Sequence, residues 1–327
     1  MIIDVHVHPA FYNPICPDAE RITKRKTVMG YDLMSPFPLD IVRKQMRFAG
    51  IDKLVLLPED TTTLDGEAVL SNEEIATLVR MEPERFIGFA SVDPHRDDAL
   101  DILEHAFSVQ HLRGLKLHPS KQQFYPNDPK MFPIYELCAR HNVPITFHCG
   151  LSWQPDTYLK YAHPYLFEDI AIRYPQLRIN LAHLGFPWVV ETAAIILKYP
   201  NVYADTACCY MDCPEQFFEQ LFLRQMGPLW VEHNLADKIL FGQDFFFNHD
   251  LGLKGGKAGE NDADFARRGR ERQEPGRVLE HLDRLAADIG GQTAARRIRL
   301  GVSRGKPPVP LFLKALNSGN AFCQFRD

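Results

Sequence analysis

No run of about 18 consecutive apolar residues occurs anywhere in the chain, so a membrane-spanning helix is not expected. The N-terminus, MIIDVHVHP, also lacks the basic segment leading into an apolar run that marks a secretory leader. Positive charge is short as well. With 37 Lys and Arg against 42 Asp and Glu, the formal net charge is −5, which leaves no global field to hold nucleic acid or an anionic membrane surface. The seven cysteines form no C-x-x-C pair, and Cys208, Cys209 and Cys213 lack zinc-knuckle or redox spacing, so reduced, buried thiols are expected. No Gly-x-Gly-x-x-Gly or Walker-type loop follows the first apolar run, which removes support for a nucleotide fold. The expectation is a cytoplasmic protein with a small-molecule partner and neither a nucleic acid nor a membrane partner, with homo-oligomerisation left open.

Eight short β-rich runs recur with helical stretches between them: Ile2 to His6, Lys53 to Leu57, Phe86 to Ala90, Gly114 to His118, Pro144 to His148, Arg178 to His183, Asn201 to Asp205 and Lys238 to Gly242. Most are nearly continuously apolar, which suits parallel strands covered on both faces. Between the fourth and fifth, Asp128 reads as an N-cap with Pro129 at the first helical position. Ile134, Leu137, Cys138 and His141 then follow at helical spacing, and Pro144 ends the connection. Eight strands alternating with helices predict a (β/α)8 TIM barrel, α/β in class, with a long insertion after the eighth strand. The whole chain, 1–327, reads as one domain. From His249 onward there is no Tyr, Trp or Met, and 11 of the 20 glycines fall there. The polar stretch 251–275 therefore reads as a flexible excursion, and helical pattern returns at 278–289 and 309–316.

His6 and His8 stand two apart on the first strand, so period two places both imidazoles on one face and turns Val5 and Val7 to the other. Two histidines alone could equally be satisfied core residues. Three other strands, however, finish in ligand-type residues at the same rim: His148, His183 and Asp244. In a barrel that C-terminal rim carries the catalytic groups. Neutral imidazoles with one carboxylate suit a single divalent transition metal, zinc first and manganese or iron second. Five candidates exceed the four ligands needed, which leaves one imidazole for proton transfer.

At this point the chain resembles the amidohydrolase superfamily, in the amidohydrolase-2 branch that includes aminocarboxymuconate semialdehyde decarboxylase-like hydrolases and decarboxylases. The motifs that carry the resemblance are IIDVHVHP at 2–9, GLKLHP at 114–119, ITFHCG at 145–150, INLAHLG at 179–185, NVYADTA at 201–207, KILFGQD at 238–244 and SGNA at 318–321. The resemblance implies that His6, His8, His148 and Asp244 hold the metal and that His183 is the catalytic histidine, with Asp244 counted in the catalytic set as well. It implies a metal-dependent hydrolase in which activated water, assisted by His183, attacks a small carboxylated substrate. The same site could instead run non-oxidative decarboxylation of an aromatic or unsaturated acid, and a catalytically silent ligand-binding barrel is the reading from another class.

Lys116 and His118 share the inward phase of the fourth strand, and an interior lysine needs a partner. Lys116 is expected to meet a substrate carboxylate, its alternative being a carbamylated bridge between two metals. His118 and Trp153 join it as expected substrate-binding residues, and Phe11 and Tyr12 are further aromatic candidates. Asp205 reads equally as an orienting carboxylate or as a helix cap, and Cys149 as a packing thiol.

Overall fold

The computed structural model describes residues 1–29, 34–208 and 234–244. The near-continuous apolar runs form nine short parallel strands: β1 Ile3–Val7, β2 Lys53–Leu56, β3 Phe86–Gly88, β4 Ala90–Ser91, β5 Leu115–Leu117, β6 Ile145–Phe147, β7 Ile179–Leu181, β8 Val202–Asp205 and β9 Ile239–Leu240. Hydrogen bonding runs β1-β2-β3 and then β4-β5-β6-β7-β8-β9. The third expected strand is one stave interrupted at Phe89. Phe89 N donates to Leu56 O at 3.0 Å and Ala90 N to Gly114 O at 2.7 Å, so the stave changes neighbours there. Across the remaining seam Val5 N donates to Phe241 O at 2.9 Å and Asp244 N to His6 O at 3.0 Å, which joins the last stave to the first. Eight staves thus make a TIM barrel.

Nine α-helices among the described residues cover the strands: α1 Ala19–Met29, α2 Leu39–Ala49, α3 Thr62–Asp65, α4 Asn72–Met81, α5 Ala99–Ser108, α6 Pro119–Gln122, α7 Phe132–Arg140, α8 Glu168–Arg173 and α9 Val189–Lys198. Their ends follow the local chemistry. Ser71 and Glu74 close a capping box at α4, and Gly50 ends α2 at φ 69°. Asp128 accepts from Lys130 N ahead of the 3₁₀ turn that leads into α7, a cap worth about 0.5–2 kcal/mol in general. Ile134, Leu137 and Cys138 of that helix are buried as their spacing requires, while His141 reaches Glu104 instead.

Leu115, Leu117, Ile145, Phe147, Ile179, Leu181 and Val202 face these helices in the main core. A second apolar cluster of Ile3, Val5, Val55, Leu57, Phe89 and Leu240 fills the barrel interior. Strict alternation on β1 fails here. The β1–β2 register shifts between Asp4 and Val7, so Val7 joins the outer core while Val5 joins the inner cluster beside His6. Phe11 and Tyr12 are core residues, Tyr12 packing on Phe37 and Phe86. No helix among the described residues is long and apolar enough to cross a membrane. The excursion at 251–275 and the helices expected at 278–289 and 309–316 lie outside the described residues.

Candidate metal centre

The inward residues above the apolar plug are polar. Register places Lys116 beside Thr146 and Thr146 beside Asn180, so all three point to the barrel axis. His6 and His8 come from the end of β1, His148 follows β6, His183 follows β7, Asp205 ends β8 and Asp244 lies four residues past β9. His6, His8, His148 and His183 are all buried, as are Lys116 and Asp205.

Two glycines let the strand ends converge. At Gly150, φ 89°, an added Cβ would stand 2.2 Å from Phe186 O, and at Gly185, φ 62°, one would stand 2.1 Å from Thr192 Oγ1. The loops carrying His148 and His183 therefore touch, and His148 Nδ1 lies 3.1 Å from His183 Nε2. His183, Leu184 and Asp244 adopt left-handed backbone, φ 61°, 49° and 58°, an uncommon conformation for side-chain-bearing residues that clusters at functional sites.

Hydrogen bonds fix the imidazole tautomers. Leu57 O can only accept, so His8 Nδ1 donates to it at 3.0 Å and Nε2 carries no proton. His6 Nδ1 donates to Asp205 Oδ2 at 3.1 Å, and its Nε2 faces His8 Nε2 at 3.2 Å. Two lone pairs at that distance repel unless a cation draws on both. Asp244 Oδ1 stands 3.6 Å from each of these nitrogens. His148 Nε2 is buried without a hydrogen-bond partner. His6, His8 and Asp244 bring donor atoms within 4.8 Å of one another, a set of imidazole nitrogens and one carboxylate that fits a divalent transition metal, and His6, His183 and Asp205 form a second such group.

Electrostatics favour the same neutral donors. Burial holds His8 and His148 well below the usual imidazole range, with neighbouring imidazoles and Lys116 adding to it. Burial also pushes His183 down to about 4, against the pull of Asp244 and Asp205. Burial would raise the Asp205 carboxyl, yet His6 and the backbone N–H of His183 hold it below the usual range. Lys116 Nζ lies 3.3 Å from His6 Nε2, and burial lowers its affinity for a proton despite Asp205 and Asp244.

The chain matches the family model for amidohydrolase over residues 3–299. It belongs to the amidohydrolase family. Members of that family are metal-dependent enzymes. One curated relative of this amidohydrolase, 2-amino-3-carboxymuconate-6-semialdehyde decarboxylase of Dictyostelium discoideum, is 25% identical over 151 residues. That match spans 41% of each chain, less than half the relative's length. Among solved structures, an uncharacterized TIM-barrel protein from Bordetella bronchiseptica is 19% identical with a TM-score of 0.57, over 75% of this chain and 85% of that one. The 4-oxalomesaconate hydratase of Rhodopseudomonas palustris is 17% identical with a TM-score of 0.54, over 88% and 99%. At these identities the likeness is one of fold.

The structure brings His6, His8, His148, His183, Asp244 and Lys116 into one cluster. His118 joins its edge by stacking on His148, ring centroids 3.8 Å apart. Trp153 is not part of the buried cluster and stands 67% exposed on the loop after β6. Sequence reasoning left Asp205 undecided between orienting and capping. Its carboxylate meets both His6 and the His183 backbone. Asn180, Thr146 and Cys208 were missed. Asn180 Nδ2 donates to Asp205 Oδ2 at 2.7 Å and lies 3.3 Å from Thr146 Oγ1. Burial and contact with Asp244 push the Cys208 thiol up to about 12. Inward phase on the strands was the available signal for Asn180 and Thr146. Cys149 packs in the core as expected.

Proposed function

We propose that this amidohydrolase hydrolyses a small carboxylated organic substrate, with one divalent metal, zinc first among the candidates, held by His6, His8, His148 and Asp244. The observation that carries the reading is the state of His183. Its Nδ1 donates to Ala207 O at 2.8 Å, so Nε2 carries the lone pair, which faces His148 Nδ1 at 3.1 Å beside the ligand cluster. A neutral imidazole in that tautomer is a proton acceptor, the group needed to take a proton from attacking water and return it to the leaving group. The metal, when bound, supplies Lewis-acid polarisation of a substrate oxygen and acidifies water. Lys116 provides a buried cation with no carboxylate in ion-pair reach among the described residues, which suits it to a substrate carboxylate. His118 stands beside it, its Nδ1 accepting from Lys121 N at 3.2 Å, so its Nε2–H is left as a donor for the same substrate. Trp153 would serve from the loop that follows His148.

Similarity to the Dictyostelium decarboxylase supports a second reading, non-oxidative decarboxylation at the same residues. There Lys116 would bind the acid and His183 would carry the proton that replaces carbon dioxide. A screen of metal-loaded protein in ¹⁸O-water against lactones, esters, amides and unsaturated or aromatic acids decides between them. Solvent oxygen in a product, without carbon dioxide, is the expected result. Carbon dioxide release without oxygen incorporation selects decarboxylation, and neither with any substrate class contradicts both.

A further inference from the structure

The Asp205 carboxylate is fully buried and receives four donors. Oδ2 accepts His6 Nδ1–H at 3.1 Å and Asn180 Nδ2–H at 2.7 Å. Oδ1 accepts the backbone N–H groups of His183 at 3.0 Å and Ala207 at 3.1 Å. One side chain thus links three staves, and it touches both an expected ligand and the backbone of the expected proton carrier.

We propose that Asp205 is a positioning residue that locks His6 in its Nδ1–H tautomer, keeping the Nε2 lone pair on the ligand side, while its other oxygen holds the left-handed turn that carries His183. The inference rests on the metal reading given above. Both halves follow from donor counting. An imidazole whose Nδ1 proton is claimed by a carboxylate has only Nε2 left to offer a cation, and such outer hydrogen bonds orient ligand rings and raise their basicity. A backbone with φ 61° and then 49° at His183 and Leu184 needs outside support, and the His183 N–H bond to Oδ1 supplies it, while the Ala207 N–H bond holds that oxygen in place from the loop after β8.

The isosteric change Asp205→Asn makes the dependence visible. An amide has one acceptor oxygen and one NH₂, yet each carboxylate oxygen now faces two donors. Backbone N–H groups cannot relocate their protons, so the amide oxygen stays with His183 and Ala207 and the NH₂ turns to His6. His6 can then pair only by accepting at Nδ1, which moves its proton to Nε2, the atom that faces His8 and Asp244. A ligand lone pair is lost without any change of shape.

The test uses full-length, ¹⁵N-histidine-labelled protein, wild type and Asp205→Asn. Metal-free spectra report the tautomer of each histidine, His6→Gln serving to assign the His6 signal, and zinc affinity is read by competition with a chromophoric chelator. The expected result is an Nδ1–H His6 in the wild type, a shift to Nε2–H in the variant, and zinc binding weaker by roughly 10–100-fold. An Nε2–H tautomer in the wild type overturns the proposal, as does wild-type zinc affinity in a variant with intact fold. If the variant does not fold, the wild-type tautomer decides. If the wild type binds no zinc, the metal reading has failed, and the tautomer spectra still decide the role of Asp205.

Discussion

His118 lies flat on His148, ring planes 9° from parallel and centroids 3.8 Å apart, while its own Nδ1 accepts the backbone N–H of Lys121. One imidazole therefore caps α6 and walls the ring expected to ligate the metal. His118→Phe keeps the flat wall and loses the cap, so zinc affinity should hold while stability falls by about 1 kcal/mol. His118→Ala removes both and should weaken zinc binding roughly tenfold or more. Chelator competition and urea melts on the pair check this, and equal zinc affinity in all three proteins would contradict the wall.

Lys116 separates two chemistries by one substitution. If it binds a substrate carboxylate, Lys116→Met removes a charge-assisted interaction worth about 1.5–3 kcal/mol, and kcat/KM should fall roughly 10- to 100-fold with metal content unchanged. If it is carbamylated, metal occupancy should fall, and bicarbonate should help rebuild the wild type but not the variant. Unchanged metal content and kinetics together would leave Lys116 a structural residue.

Asp4 sets a pH dependence in the metal-free protein. Burial pushes its carboxyl up to about 8, although N–H groups of His6 and Gln243 pull the other way. Between the ordinary carboxyl value of about 3.9 and about 8, the folded state holds a proton that the unfolded chain has released. Stability from this group is therefore present below the unfolded value and drains as pH rises through that window, by at most about 1.4 kcal/mol per pH unit. Asp4→Asn keeps an acceptor and does not ionise. Its urea midpoint should exceed that of wild type by more at pH 8 than at pH 5, and an equal gap at both would contradict the assignment.

The strands were legible because parallel strands covered on both faces carry little but apolar residues, as Lys53–Leu56 does. The interruption at Phe89 and the β1 shift were not, since register depends on neighbouring strands, and so Val5 was placed on the wrong face. The ligand-type residues were visible from their strand-end positions. The role of Asp205 was not, because a strand-end aspartate serves a helix cap as readily as an imidazole, and only the fold brings β8 against His6. Trp153 shows the reverse: adjacency in sequence to His148 did not carry its ring into the cluster.

The central claim is that one metal sits among His6, His8, His148 and Asp244 with His183 left for proton transfer, and elemental analysis of purified variants measures it most directly. The account predicts about one transition metal per wild-type chain, loss of metal in each of His6→Ala, His8→Ala, His148→Ala and Asp244→Ala, and full occupancy in His183→Asn with turnover reduced by roughly 10²–10⁴. Full occupancy after His148→Ala, or loss of metal with His183→Asn, would contradict it.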